Sequence, residues 1–304
     1  MCGLFGFYNY SGQEIKGLSK LTNILAGNAT VRGTDAAGIA YNSKDKLIIH
    51  KEAKSAYMID FKHSDDVVCI TGHTRHATQG DKKKNYNNHP FAGSCRNLRF
   101  ALSHNGVLTN DKELKLQYHL PKTKIATDSF VAVQLLEKKK QLNVENVKFM
   151  AEQVSGSFAF SILDSSDVLW LVRGDSPISL VHLPKYKLYI YASTEEILYK
   201  SLVDTKLFSE IKSGAFEEVE VRSGGIIRLL PDGKLLVDTF SYTDYSSWYS
   251  CRWWNYGTED MRSTYINDLK SVAAYQGFSP DTVGELLHEG FTPEEIEEYI
   301  YCLE

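Results

Sequence analysis

The chain has 304 residues, 43% of them apolar and 24% charged, a balance that excludes disordered, collagenous and low-complexity classes. Its longest strongly apolar runs, at 67–70 and 158–163, fall far short of the roughly 20 residues of a membrane-crossing helix, and no basic, apolar leader opens the chain. Five cysteines without a Cys-x-x-Cys pair fit a reducing, cytoplasmic setting better than a disulfide framework. The net charge of -4 divides unevenly, the last 28 residues carrying -8 and the rest +4. Lysine runs reach only three residues, at 82–84 and 138–140, so neither nucleic acid nor a membrane surface is an expected partner.

Residues 2–8 read as a buried strand and 14–26 as a helix ending at Gly27. Strands are expected at 37–41, 46–50, 67–71 and 98–103, and helices at 112–118, 128–137 and 144–152. From Gly156 strands dominate, at 158–163, 168–173, 178–183 and 187–192, followed by a hairpin of 225–230 and 234–240 around Asp232-Gly233. This order predicts an α+β sandwich rather than a doubly wound parallel sheet. Composition changes near Tyr242. Residues 241–257 hold three of the four tryptophans, and 258–304 read as an acidic tail of about three helices. Ser279-Pro280 and Thr292-Pro293, 13 residues apart, suit helix starts, and Thr292 with Glu295 forms a capping box.

Cys2 is the most informative position. A thiol needs a base, and once Met1 is removed the α-amine of Cys2 can be that base, its pKa of about 7.7–8.0 lying close to the thiol's ~8.5. Three further segments supply complementary groups. Gly72-His73-Thr74-Arg75-His76-Ala77-Thr78 contains an arginine suited to clamp a carboxylate. His104-Asn105-Gly106 offers an amide and a backbone N–H for an oxyanion. Asp128, after Thr127, is placed either to hold an ammonium group or to cap a helix. His73 and His76 lie three apart, a spacing that would need a carboxylate nearby to hold a metal.

With Met1-Cys2-Gly3-Leu4-Phe5-Gly6, Arg32-Gly33-Thr34-Asp35-Ala36-Ala37-Gly38, His89-Pro90-Phe91 and Thr127-Asp128-Ser129, these motifs run in the order seen in class II glutamine amidotransferases. The chain resembles those N-terminal-nucleophile (Ntn) hydrolases from Cys2 to about Phe240. Later segments, Gly156-Ser157-Phe158-Ala159-Phe160 and Val172-Arg173-Gly174-Asp175 among them, share the likeness. The resemblance implies an αββα four-layer sandwich over 2–240, followed by an aromatic linker at 241–257 and the helical extension at 258–304. It implies Cys2 as nucleophile, Asn105 and Gly106 as the oxyanion hole, Arg75 for the substrate carboxylate and Asp128 for its ammonium. His76 and Thr78 would line the pocket and Arg32 would support the Cys2 loop. Two positions depart from the pattern: His76 stands where the sugar-phosphate synthase branch usually has an aromatic residue, and Phe130 where many members have an acid.

The implied activity is hydrolysis of L-glutamine to glutamate and ammonia through a Cys2 thioester, without a fused synthase and with no metal or cofactor. Ammonia would then pass to a separate synthase or ligase. Hydrolysis of another γ-glutamyl amide or peptide, or a non-catalytic scaffold role using the helical tail, are the alternatives. Removing residues 266–304 is expected to leave a folded amidotransferase domain while abolishing binding to a partner or formation of a homo-oligomer.

Overall fold

Strand β1 (Gly3–Asn9) is buried along its whole length because both its faces are covered. Leu4 and Tyr8 point into one apolar cluster, while Phe5 and Phe7 point into another. This is the period-two alternation of a strand in the middle of a layered structure. The computed structural model describes residues 2–96, 98–205, 216–242, 260–275 and 277–289, with positions 291, 293, 296 and 300.

Around β1 the first sheet adds β2 (Ala36–Ser43), β3 (Lys46–Glu52), β4 (Cys69–Arg75), β9 (Ser179–Leu183), β10 (Leu188–Ala192) and β11 (Glu217–Val219). Their order is β11-β9-β10-β1-β4-β2-β3. The second sheet contains β5 (Phe91–Cys95), β6 (Leu98–Leu108), β7 (Gly156–Asp164), β8 (Leu169–Arg173), β12 (Gly225–Leu229) and β13 (Leu235–Thr239), ordered β13-β12-β8-β7-β6-β5. Neighbouring strands are antiparallel in both sheets.

Three apolar clusters hold the layers together. Leu4, Tyr8, Ala101, Ala159 and Leu171 pack between the sheets. Helices α1 (Leu18–Asn28) and α5 (Glu195–Val203) cover the outer face of the first sheet. Helices α2 (Asp111–Gln117), α3 (Phe130–Lys139) and α4 (Val144–Gln153) cover that of the second. Each large side chain buried there contributes about 1.5–3 kcal/mol relative to exposure. The result is the expected α+β, αββα four-layer sandwich.

Several element boundaries depend on distant residues. Helix α1 starts at Leu18 rather than 14 because the Asp65 carboxylate accepts from Gly17 N–H and Ser19 N–H, each at 2.9 Å. Strand β6 runs to Leu108, five residues past the predicted end, because β7 pairs with it through Leu108. Strand β5, helix α5 and strand β11 had no counterpart among the expected elements.

Beyond Tyr242 the structure describes α6 (Asp260–Tyr275) and α7 (Pro280–His288). Ser279 caps α7, its hydroxyl accepting from Asp281 N–H at 3.2 Å. Leu269, Val272 and Ala273 of α6, Val283 of α7, and Ile296 and Ile300 form a cluster with Val107 of β6. The Thr292 to Glu295 capping box and nearly all of the aromatic segment lie outside the described residues. No helix among the described residues is long and apolar enough to cross a membrane.

Candidate active site

Strand pairing carries the sequence motifs to one end of the sandwich. Gly3 pairs with Thr74 and Ala36 with Arg75, so Cys2, the start of β2 and the end of β4 are neighbours. A 3₁₀ turn, Ala29–Arg32, closes this corner. From it Arg32 Nε donates to the Cys2 carbonyl at 2.8 Å, and its Nη2 reaches Asn105 Oδ1 at 3.5 Å. One guanidinium thus joins the Cys2 segment to β6. The adjoining Gly33 permits the close approach, since a Cβ there would lie 2.4 Å from the Arg75 carbonyl carbon.

Asn105 is fully buried. Arg32 Nη2 faces its amide oxygen, leaving Nδ2 on the other side, and that nitrogen has no hydrogen-bond partner. A buried donor left unmade costs on the order of 1–3 kcal/mol, a cost that a ligand oxygen at that position would remove. Gly106 follows with φ +128°, and a Cβ on it would stand 2.1 Å from Ser157 O. Backbone conformation and space both require glycine there.

Cys2 is half-buried, and its Sγ lies 3.4 Å from the His76 carbonyl oxygen. Burial pushes its thiol above the ordinary value, against the pull of the nearby Arg75 guanidinium; the Asp128 carboxylate adds to the rise. Arg75 is buried, with Nη1 donating to Asn88 Oδ1 at 2.6 Å and Nη2 donating to the carbonyls of Gln79 and Gly80. His76 and Thr78 lie in the half-buried turn after β4. That turn is tied back by Asp35, which accepts from Ala77 N–H at 2.9 Å and from Lys82 Nζ at 2.7 Å. Burial alone would raise the Asp35 carboxyl, but these two donors outweigh it and hold it below its usual value.

Asp128 is not the cap of α3. Its Oδ2 accepts from Leu108 N–H at 2.7 Å, across to β6, and its Oδ1 lies 3.3 Å from Ser129 Oγ. Helix α3 consequently begins at Phe130, which packs edge-on against Phe91. Behind these groups lie His73, His89 and His104, all buried. Burial holds His73 down to about 3, His89 well below its ordinary value and His104 below it too. Among the described residues no group of three His, Cys, Asp or Glu side chains is arranged to hold a metal ion.

The structure therefore brings Cys2, Arg32, Arg75, His76, Asn105, Gly106 and Asp128 to one corner. Asp35, Asn88 and Ser129, which position some of these groups, escaped sequence reasoning as site residues. Asp35 and Ser129 lie inside the quoted motifs, and Asn88 immediately precedes His89-Pro90, so adjacency to a motif was the available signal.

Residues 73–200 match the family described as "Glutamine amidotransferase domain". A glutamine–fructose-6-phosphate aminotransferase from Staphylococcus aureus is 35% identical over 193 residues, covering 59% of this chain and 30% of the relative. Its counterpart from Bacillus cereus is 32% identical over 191 residues with the same coverage. The chain thus spans about 30% of the length of these curated relatives. Among solved structures, a glutamine phosphoribosylpyrophosphate amidotransferase from B. subtilis superposes with TM-score 0.63 at 23% identity, over 80% of this chain and 50% of that one. By sequence, residues 73–200 are similar to a glutamine amidotransferase domain, and by fold the chain shares the layered sandwich of that solved amidotransferase.

Proposed function

We propose that the chain hydrolyses the side-chain amide of L-glutamine and passes the ammonia to an acceptor enzyme. The observation that carries this reading is the buried, unpartnered Nδ2 of Asn105, tied through Arg32 to the Cys2 segment. A preorganised donor beside a nucleophile is what a tetrahedral oxyanion requires.

In this mechanism Met1 is removed and the freed α-amine takes the Cys2 thiol proton. Such a base is needed because burial raises the thiol. Sγ attacks the amide carbon, and the oxyanion is held by Asn105 Nδ2–H and Gly106 N–H. Collapse breaks the C–N bond, the α-ammonium returning its proton to the leaving ammonia. Water then adds to the thioester carbon, and glutamate departs as Sγ is restored. Arg75 would pair with the substrate carboxylate and Asp128 with its ammonium, while His76 and Thr78 would border the pocket. Transfer to an acceptor is supported by the relatives' name, glutamine–fructose-6-phosphate aminotransferase. The test is glutamate release from glutamine, present in the processed protein and lost in Cys2→Ala; equal release by both would refute the reading.

A further inference from the structure

Ser129 occupies the position preceding α3, where a serine ordinarily accepts from a helix N–H, yet it makes no such bond. Its hydroxyl lies instead 2.8 Å from His104 Nδ1 and 3.3 Å from Asp128 Oδ1. Ser129, His104 and Asp128 are all buried. A carboxylate oxygen only accepts, so the single Ser129 proton points to Asp128 when Nδ1 carries the imidazole proton. His104 Nε2 is only loosely placed against Ser157 O, at 3.4 Å, which leaves Nδ1–H as the better-seated donor. The His104 carbonyl in turn accepts from His73 Nε2 at 2.9 Å, and the next two residues are Asn105 and Gly106.

We propose that His104 and Ser129 are positioning residues that orient Asp128 for the α-ammonium of the substrate, and so set selectivity for an α-amino substrate. The relay runs from His104 Nδ1–H to Ser129 Oγ and from Ser129 O–H to Asp128 Oδ1. Together with Leu108 N–H on Oδ2, it fixes the carboxylate plane from two sides. This inference rests on the glutaminase reading and deepens it.

The experiment compares L-glutamine with its analogue lacking the α-amino group, glutaramic acid, in the wild-type chain, Ser129→Ala, Ser129→Thr and His104→Asn. The Asn amide nitrogen can occupy the place of imidazole Nδ1. Ser129→Ala is expected to raise KM for glutamine about tenfold with kcat within twofold, and to leave kcat/KM for glutaramic acid unchanged. Ser129→Thr, which keeps the hydroxyl, and His104→Asn should each recover most of the glutamine KM. Equal losses on both substrates, or unchanged glutamine KM in Ser129→Ala, would overturn the relay while leaving glutaminase activity intact. Failure of the wild-type protein to hydrolyse glutamine would overturn the activity reading itself and the relay with it.

Discussion

Asn105 and Gly106 show how much chemistry two adjacent residues concentrate. Nδ2 of Asn105 is buried without a partner and its Oδ1 faces Arg32, so removing the side chain takes away a prepared donor and one contact to Arg32. Asn105→Ala should lower kcat for glutamine by about 10²–10³ with a much smaller change in KM, measured by steady-state glutamate release. Gly106→Ala fails differently. It must adopt φ +128° and place Cβ 2.1 Å from Ser157 O, so a loss of at least about 2 kcal/mol of stability is expected, read by urea unfolding. At this scale the grouping of Cys2, Arg75, Asn105 and Asp128 at one corner was legible because each follows or precedes a strand or helix signal and carries distinctive chemistry. Asn88, Asp35 and Ser129 were not, since their partners lie 13, 42 and 25 residues away. Contacts of that span are set by sheet order, which local pattern does not encode. The Asp128 carboxylate illustrates the same limit: the helix-cap and ligand readings were equivalent in sequence, and Leu108 N–H decides against the cap.

Elements rather than residues explain the acid response. His73, His89 and His104, on β4, before β5 and on β6, form a buried layer, with the His73 and His89 rings 4.2 Å apart. Burial lowers all three below their ordinary values, His73 to about 3. Above about pH 6.5 these groups are neutral in both folded and unfolded chains and cost nothing. As pH falls below 6.5 the unfolded chain takes up protons the fold refuses, so stability declines by up to about 1.4 kcal/mol per pH unit for a histidine that stays neutral in the fold, as His73 and His89 do. His89 finds no hydrogen-bond partner for either nitrogen. His89→Leu should therefore fold and shed about one histidine's share of the slope between pH 6 and 4. An unchanged slope in urea titrations would contradict this. The strands that carry this layer were mostly legible from apolar runs. The full reach of β6 and the short edge strands β5 and β11 were not, because pairing and not propensity defines them.

For the whole molecule, the main question is how the acidic tail meets the sandwich. Helix α6 packs Leu269, Val272 and Ala273 over Val107, the residue after Gly106. Val107 N–H is bonded to Ser157 Oγ at 3.1 Å, so the tail bears on the strand that carries Asn105. Val272→Asp would bury a carboxylate in this contact at a cost on the order of 3 kcal/mol. Limited proteolysis should then release the segment beyond residue 259 faster than from wild type while leaving the sandwich intact; equal rates would show that the contact contributes little. The helical character of the tail was legible from its caps and periodicity. Its seat on β6 was not, since Val107 looks like any strand valine until the sheets are assembled.

The most direct test of the proposed thioester mechanism is mass spectrometry of the protein quenched with acid during glutamine turnover. The predicted result is a chain that begins at Cys2 and carries a γ-glutamyl adduct on its N-terminal peptide, absent from Cys2→Ala. Turnover by a chain that still carries Met1, or by Cys2→Ala, would contradict it.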